Sequence, residues 1–204
     1  MVPELSRPIL PSEIAFDIDG VVADTMEIFV RLAHERYGLH HISKDAISCY
    51  NLYQCLGLEK EVLDDLICLT LDDEHTMQVP PMPNAPEVLT ELARGAPLRF
   101  VTARIWPESI TAWLHNTLPE VPPDRIEVIA SGDPAIKPGI LRDLDVRYFV
   151  EDRIDTCKQL KAAGIQPLLF IQPWNRNKPS DGFIRVENWL SLKEWVLPRG
   201  ETLR

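Results

Sequence analysis

Short runs of apolar residues alternate with amphipathic stretches along most of this chain. Ile14-Ala15-Phe16 is a continuous hydrophobic run that predicts a buried strand, because parallel strands covered on both faces lose the usual in-out alternation. From Thr25 to Tyr37 the period changes. Met26, Phe29, Val30, Ala33 and Tyr37 fall at i, i+3, i+4, i+7 and i+11, one stripe of a helix, with Gly38 at the C-cap. A second amphipathic helix is predicted over 59–70, with Val62, Leu63, Leu66 and Ile67 on one face. Residues 39–58 between them are mixed and polar, with Tyr50, Leu52 and Tyr53 as expected inward contacts. Pro80-Pro81-Met82-Pro83-Asn84 then reads as a linker.

After the linker the pattern settles into alternation. Helices are predicted over 87–94, 107–117, 138–144, 154–163 and 188–196, and strands over 98–101, 126–129, 146–150 and 167–171. Strands interleaved with helices imply βαβ units and an α/β fold, a Rossmann-like parallel sheet covered by helices on both faces. Residues 25–80 offer no strand of their own. They are expected to form a small helical cap inserted after the first strand, hinged at Thr25 and near Pro80. That leaves 1–24 and 81–197 as the core domain and 198–204 as a mobile tail.

Composition narrows the classes. At 204 residues, 45% hydrophobic and 25% charged, the chain is ordinary globular material with room for one domain and a small insertion. A net charge of −10 argues against a broad face for a nucleic-acid polymer, though not against a local pocket for one phosphate. No apolar run reaches the 18 or so residues of a membrane span, and 1–11 lacks the apolar core of a signal peptide. Cys49, Cys55, Cys68 and Cys157 form no C-x-x-C or zinc pattern and are expected to be unpaired thiols, which points to a cytoplasmic protein. The five scattered histidines read as surface residues.

The chemistry gathers where strands end. Asp17 and Asp19 follow the first strand two residues apart, so both should face one site at its carboxyl edge. That edge is where open α/β sheets bind ligands. Adjacent carboxylates repel unless a cation or a shared proton lies between them, which suggests a hard ion such as Mg²⁺. A plain turn is the bland alternative for Asp-x-Asp-Gly. A calcium loop of the EF-hand type fails, because its fifth, sixth and twelfth positions would be Val21, Val22 and Ile28. Further along, Val101 leads into Thr102-Ala103-Arg104, Lys137 precedes a helix, and Val150 leads into Glu151-Asp152-Arg153. Singly, Thr102 could be a cap, Lys137 a solvated lysine and the acids a helix start. Their order and placement together are what these readings do not predict.

These four stretches resemble, in order, the four motifs of the haloacid dehalogenase superfamily of phosphohydrolases. The likeness runs from about residue 13 to 172, and its most specific part is Phe16 to Asp24. Glu151 to Asp155 followed by Phe170 to Asn175 is similar to the 5′(3′)-deoxyribonucleotidase branch. The resemblance implies phosphoryl transfer through an aspartyl-phosphate. Asp17 is then the nucleophile and Asp19 the general acid and base. Thr102, Ala103 and Lys137 are then the phosphate-binding residues. Asp17, the backbone carbonyl of Asp19, and Asp152 hold Mg²⁺, with Glu151 as a water-mediated partner and Asp155 as a reserve ligand. Arg104 either touches substrate or is a surface charge. The cap selects the substrate, with Phe29, Tyr50 and Tyr53 available to stack a base. Two departures from the nucleotidases, Thr25 where they carry an aromatic and Ala103-Arg104 where they carry Ser-Pro, leave the nucleotide open.

The expected activity is thus Mg²⁺-dependent hydrolysis of a small phosphate ester, with a 5′(3′)-deoxyribonucleotide as one candidate. The alternatives are a phosphatase of sugar phosphates or phosphoglycolate, and a non-catalytic phosphate-binding module. A dehalogenase does not need the second acid. A phosphonate hydrolase would need a cap lysine, for which only Lys44 and Lys60 are at hand.

Overall fold

A computed structural model describes residues 7–179 and 182–197, so the expected tail at 198–204 lies outside the described residues. Its centre is a six-stranded sheet in the order β3-β2-β1-β4-β5-β6, with every pairing parallel. The strands are β1 (Ile14–Phe16), β2 (Leu98–Thr102), β3 (Ile126–Ala130), β4 (Tyr148–Glu151), β5 (Gln166–Phe170) and β6 (Ile184–Val186). The first five lie within a residue or two of their predicted bounds. β6 was not foreseen, because three residues carry too little periodicity to read.

Side-chain alternation sorts the core into two layers. Ile14, Phe16, Phe100, Val150 and Phe170 belong to the larger cluster on one face. There they meet Val88 and Leu89 of α5 (Ala85–Leu92), Ile110 and Leu114 of α6 (Glu108–Thr117), and Trp189 and Leu192 of α9 (Trp189–Val196). Ala15, Val101 and Phe149 point the other way, toward Leu141 of α7 (Lys137–Asp143) and Leu160 of α8 (Ile154–Ala162). Helices therefore cover both faces, as the alternation predicts.

β1 is flanked by β2 on one side and β4 on the other, so the connections run outward in both directions from it. This reversal opens a crevice beyond the carboxyl ends of β1, β2 and β4.

Between β1 and α5 the chain forms α1 (Thr25–Tyr37), α2 (Leu52–Cys55), α3 (Lys60–Thr70) and α4 (Asp73–Thr76). Phe29 and Ala33 of α1 and Leu63 and Leu66 of α3 are buried in the same cluster as the sheet's larger face. The two chain legs leading into and out of this segment pair with each other. The Asp24 N–H donates to Pro80 O (2.9 Å), the Met82 N–H to Val22 O (2.7 Å), and Ala23 bridges Pro81 antiparallel. The predicted linker is thus hydrogen-bonded along its length.

The turn after β1 is built on Gly20. It adopts φ +78°, its N–H donates to Ala23 O (2.9 Å), and its carbonyl accepts from the Gln172 amide (2.7 Å). A Cβ here would lie 2.3 Å from Asp152 Oδ2. Gly38 shares the left-handed backbone (φ +64°) but would meet nothing within 4 Å. Gly20→Ala is therefore expected to cost about 1–3 kcal/mol for the backbone plus whatever displacing Asp152 adds, and Gly38→Ala only the first part. Chemical denaturation of both variants checks this; equal losses would mean that the approach to Asp152 carries no energy.

Candidate active site

Two adjacent strand ends, those of β1 and β4, deliver acids to the crevice, and the start of α7 delivers one lysine. Asp17 follows β1, with its own N–H donating to Val150 O (2.9 Å) and the Ile18 N–H donating to its Oδ1 (2.8 Å). Glu151 ends β4 and Asp152 follows it. Lys137 opens α7, only 1% exposed, and its Nζ lies 3.0 Å from both Asp17 Oδ1 and Glu151 Oε2. Burial opposes the lysine's charge, but Asp17 and Glu151 outweigh it and hold its pKa above the ordinary value. The Trp174 indole donates to Asp152 Oδ2 (3.0 Å), and the Arg153 N–H to Glu151 Oε1 (3.1 Å).

One ammonium does not balance three carboxylates. Oxygens of Asp17, Glu151 and Asp152 lie within 4.8 Å of one another, all on buried side chains. Burial pushes Asp17 well above the ordinary carboxylate range, helped by the Glu151 charge and opposed by Lys137. Asp152 is raised by burial and by the charges of Glu151 and Asp17. A crowded set of hard oxygen donors with surplus negative charge could hold a divalent cation. Asp155, the expected reserve ligand, is exposed in the first turn of α8 and outside this group.

Asp19 is handled differently. The Arg104 Nε donates to Asp19 Oδ2 (3.0 Å) and Nη2 to Oδ1 (2.8 Å), while the Thr25 hydroxyl donates to Oδ1 (2.6 Å). Burial alone would raise this carboxyl; the Arg104 charge and hydrogen bonds hold it below the ordinary range. Arg104 is 9% exposed, so it is not a surface charge. Thr102 is fully buried at the end of β2, where its hydroxyl accepts from the Arg104 N–H (3.2 Å).

Above these groups is a cavity of about 440 Å³ whose lining includes Asp17, Asp19, Ala103, Arg104 and Asp152. Its far side comes from the segment before α5, with Phe29, Tyr50, Asn51 and Tyr53 among the lining residues. Tyr50 and Tyr53 do not pack inward as expected. Each leaves about half its surface exposed, at 51% and 52%, and they face the cavity instead. The Arg153 guanidinium stacks 4.8 Å from the Tyr50 ring centroid. Burial and the charges of Asp152 and Glu151 push the Tyr50 phenol up. Lys44 pairs with Asp24 and Lys60 with Asp64, so neither lysine lines the cavity.

The expectation of four unpaired thiols is corrected here. Cys49 and Cys55 form a disulfide that closes a loop around Tyr50, Asn51 and Tyr53. Their spacing matches no recognisable pattern, and only the fold of this loop brings them together. The cysteine-based inference of a cytoplasmic setting loses its support. What stands is that, among the described residues, no helix is long and apolar enough to cross a membrane.

Several contributors went unassigned in the sequence. Thr76 on α4 accepts from Arg104 Nη1 (2.7 Å). Gln172, Trp174 and Asn175 follow β5 and clamp the turns after β1 and β4, with the Asn175 amide donating to Asp152 O (2.8 Å). Polar residues at a strand's carboxyl end were a signal for these three; Thr76 left none.

This architecture and site define a haloacid dehalogenase-like hydrolase. Solved structures of the class share the fold. A haloacid dehalogenase-like hydrolase of Streptococcus pneumoniae matches with TM-score 0.57, 15% identity and coverage of 88% of this chain and 95% of its own. CbbY of Rhodobacter sphaeroides, solved with phosphate, matches with TM-score 0.54, 17% identity and coverage of 90% and 96%. A nucleotidase of Clostridium acetobutylicum is 26% identical over 179 residues, 86% of this chain and 88% of the relative. The family model described as 5′ nucleotidase, deoxy (pyrimidine), cytosolic type C matches residues 11–199. The chain belongs to that family, and it is a hydrolase of the phosphatase and nucleotidase kind.

The carboxylate cluster has a thermodynamic signature. A carboxyl raised above its unfolded value binds protons on folding, so its stabilising contribution is present below the ordinary 3.8 and is lost as pH climbs through the raised value. Cation-free protein should therefore lose stability from about pH 4 toward neutrality. A divalent cation at 100 times its Kd should restore about 2.7 kcal/mol at neutral pH and less near pH 5, where protons compete. Thermal unfolding with added cation and with chelator measures this. A midpoint unmoved by any divalent cation would remove the three acids as a metal site.

Proposed function

We propose that this protein is a Mg²⁺-dependent phosphomonoester hydrolase that works through an aspartyl-phosphate on Asp17. The observation that carries the reading is Asp17 held by Lys137 beside Asp152 at one end of a cavity whose opposite wall is aromatic. We assign residues 25–80 as a cap and 1–24 with 81–197 as the core domain, meeting across that cavity.

In the proposed reaction an Asp17 carboxylate oxygen attacks phosphorus, and the bond to the ester oxygen breaks in line. Lys137 restrains Asp17 and offers its ammonium to the transferring group, where charge develops. Thr102 and the backbone at Ala103 hold phosphate oxygens. Asp19 is held as a carboxylate by Arg104 and Thr25, so it first takes a proton from solvent. It gives that proton to the departing oxygen, then takes one from the water that attacks the phosphorus of the acyl phosphate, and Asp17 is freed. Asp17, the backbone carbonyl of Asp19, and Asp152 are the residues we assign to Mg²⁺, with Glu151 supporting them through its bond to Lys137. When bound, the ion supplies positive charge that offsets the clustered carboxylates and the phosphate dianion.

The substrate is a small phosphate ester, and we place a deoxynucleoside monophosphate first among candidates. Tyr50 and Tyr53 give the cavity aromatic surface against which a flat base can stack, whereas Phe29, 1% exposed, belongs to the core behind it, and the family and the Clostridium relative carry nucleotidase names.

Asp17→Asn should abolish phosphate release, a loss of at least about 1,000-fold, while its unfolding midpoint stays near or above that of the parent. Phosphate release is then measured on deoxynucleoside and nucleoside monophosphates, sugar phosphates and phosphoglycolate, with Mg²⁺ and with chelator. Preference for deoxynucleotides supports the whole proposal. Activity spread over sugar phosphates keeps the chemistry and discards the nucleotide. Retained Mg²⁺-dependent turnover in Asp17→Asn sinks the nucleophile assignment.

A further inference from the structure

Arg104 is a buried cation that directs three of its five side-chain N–H donors at two side chains from distant parts of the chain. Nε and Nη2 grip the Asp19 carboxylate as a fork, and Nη1 donates to Thr76 Oγ1. The root of the side chain is fixed as well. Its N–H donates to Thr102 Oγ1 (3.2 Å) and its carbonyl accepts from Gly132 N–H (3.1 Å). A fork of this kind sets both the position and the plane of a carboxylate, which a single ammonium cannot do.

The two oxygens of Asp19 are not held alike. Oδ1 accepts from Arg104 Nη2 and from the Thr25 hydroxyl, whereas Oδ2 accepts from Arg104 Nε alone. Turning Oδ2 to another partner costs one hydrogen bond, and Oδ1 keeps two. We propose that Arg104 is a positioning residue that aims Asp19, holding it by Oδ1 so that Oδ2 is the oxygen exchanging a proton with the leaving group. The Thr76 contact fixes the guanidinium against rotation. This rests on the reading of Asp19 as general acid, and Arg104 acts through Asp19 rather than on the phosphate.

The leaving group separates these roles. Nitrophenolate departs without a proton, whereas an alkoxide needs one, and kcat/KM reports the steps up to that departure irrespective of how fast the acyl phosphate is later hydrolysed. Arg104→Met and Arg104→Lys are compared with the parent on p-nitrophenyl phosphate and on a simple alkyl phosphate, with circular dichroism as the check on folding. The expected result is a fall of about 100-fold or more in kcat/KM for the alkyl ester and a change of only a few-fold for the aryl ester. Arg104→Lys should fail to rescue, and Asp19→Asn should show the same selectivity. The double variant Asp19→Asn with Arg104→Met should lose little beyond Asp19→Asn alone, because the two act as one unit. Thr76→Val, which leaves the fork in place, should show a smaller loss of the same kind and keeps the test available if the arginine variants do not fold.

Equal losses on both esters in the Arg104 variants would make the arginine a phosphate ligand and overturn the proposal. Losses that add in the double variant would overturn it too. A flat leaving-group dependence in Asp19→Asn itself would instead locate the failure in the assignment of Asp19 as the acid, and the role of Arg104 would fall with it.

Discussion

The constraint on which the rest of this structure depends is the charge imbalance at the carboxyl edge of β1 and β4. Three buried carboxylates converge there on one buried ammonium. In a hydrophobic interior each uncompensated charge is costly, so such a group persists only where the fold fixes every member. The sheet provides that. The Asp17 N–H bonds directly to Val150 O, tying the first acid to the strand that carries the other two. Lys137 reaches the group from the opening of α7, and the flat face of Phe149 lies 5.4 Å from its ammonium. The surplus charge makes the same group suited to a cation.

The turn after β1 shows how tightly the surroundings are adapted to these acids. At Gly20 there is no room for a Cβ beside Asp152, and its carbonyl is fastened by the Gln172 amide, while the Trp189 indole donates to Val21 O (2.8 Å). The turn leads into the leg that pairs with 80–82, so the aspartates and the base of the helical segment share one hydrogen-bonded framework. A change at Gly20 thus acts on the site and on the segment's attachment together.

What could be read from sequence was what depends on neighbours along the chain. The apolar runs of β1, β2 and β4 gave strands, and the polar residues after them gave Asp17, Thr102 and the Glu151-Asp152 pair, because a strand's end fixes where its next residues point. Arg104 was visible as a residue but not in its role, since its partners Asp19 and Thr76 are 85 and 28 positions away. Cys49 and Cys55 sit only six residues apart, yet their bond follows from the conformation of a loop with weak periodicity. Tyr50 and Tyr53 carried two readings, inward contacts and aromatic surface of the cap; the inward one failed for a related reason, and both residues line the cavity. Aromatic residues in a mixed segment default to core, and only the presence of a cavity turns their exposed faces to use.

The two sides of the cavity are built from different material. The acids and Lys137 stand on strand ends and a helix start, where regular structure fixes side chains closely, and the far wall of the cavity combines residues of α1 and α3 with the disulfide-closed stretch from Cys49 to Cys55. Rigid elements hold reacting groups better than loops do, and loops vary more freely in what they accept. The Asp19–Arg104–Thr76 chain spans the division, joining a residue after β1, a residue after β2 and the last residue of α4. It does so with a buried guanidinium, whose desolvation is offset only while both partners are in place. A displacement of α4 therefore cannot leave Arg104 untouched, and Arg104 cannot shift without moving Asp19. That makes the geometry of one acid answerable to the segment that also supplies the cavity's aromatic wall.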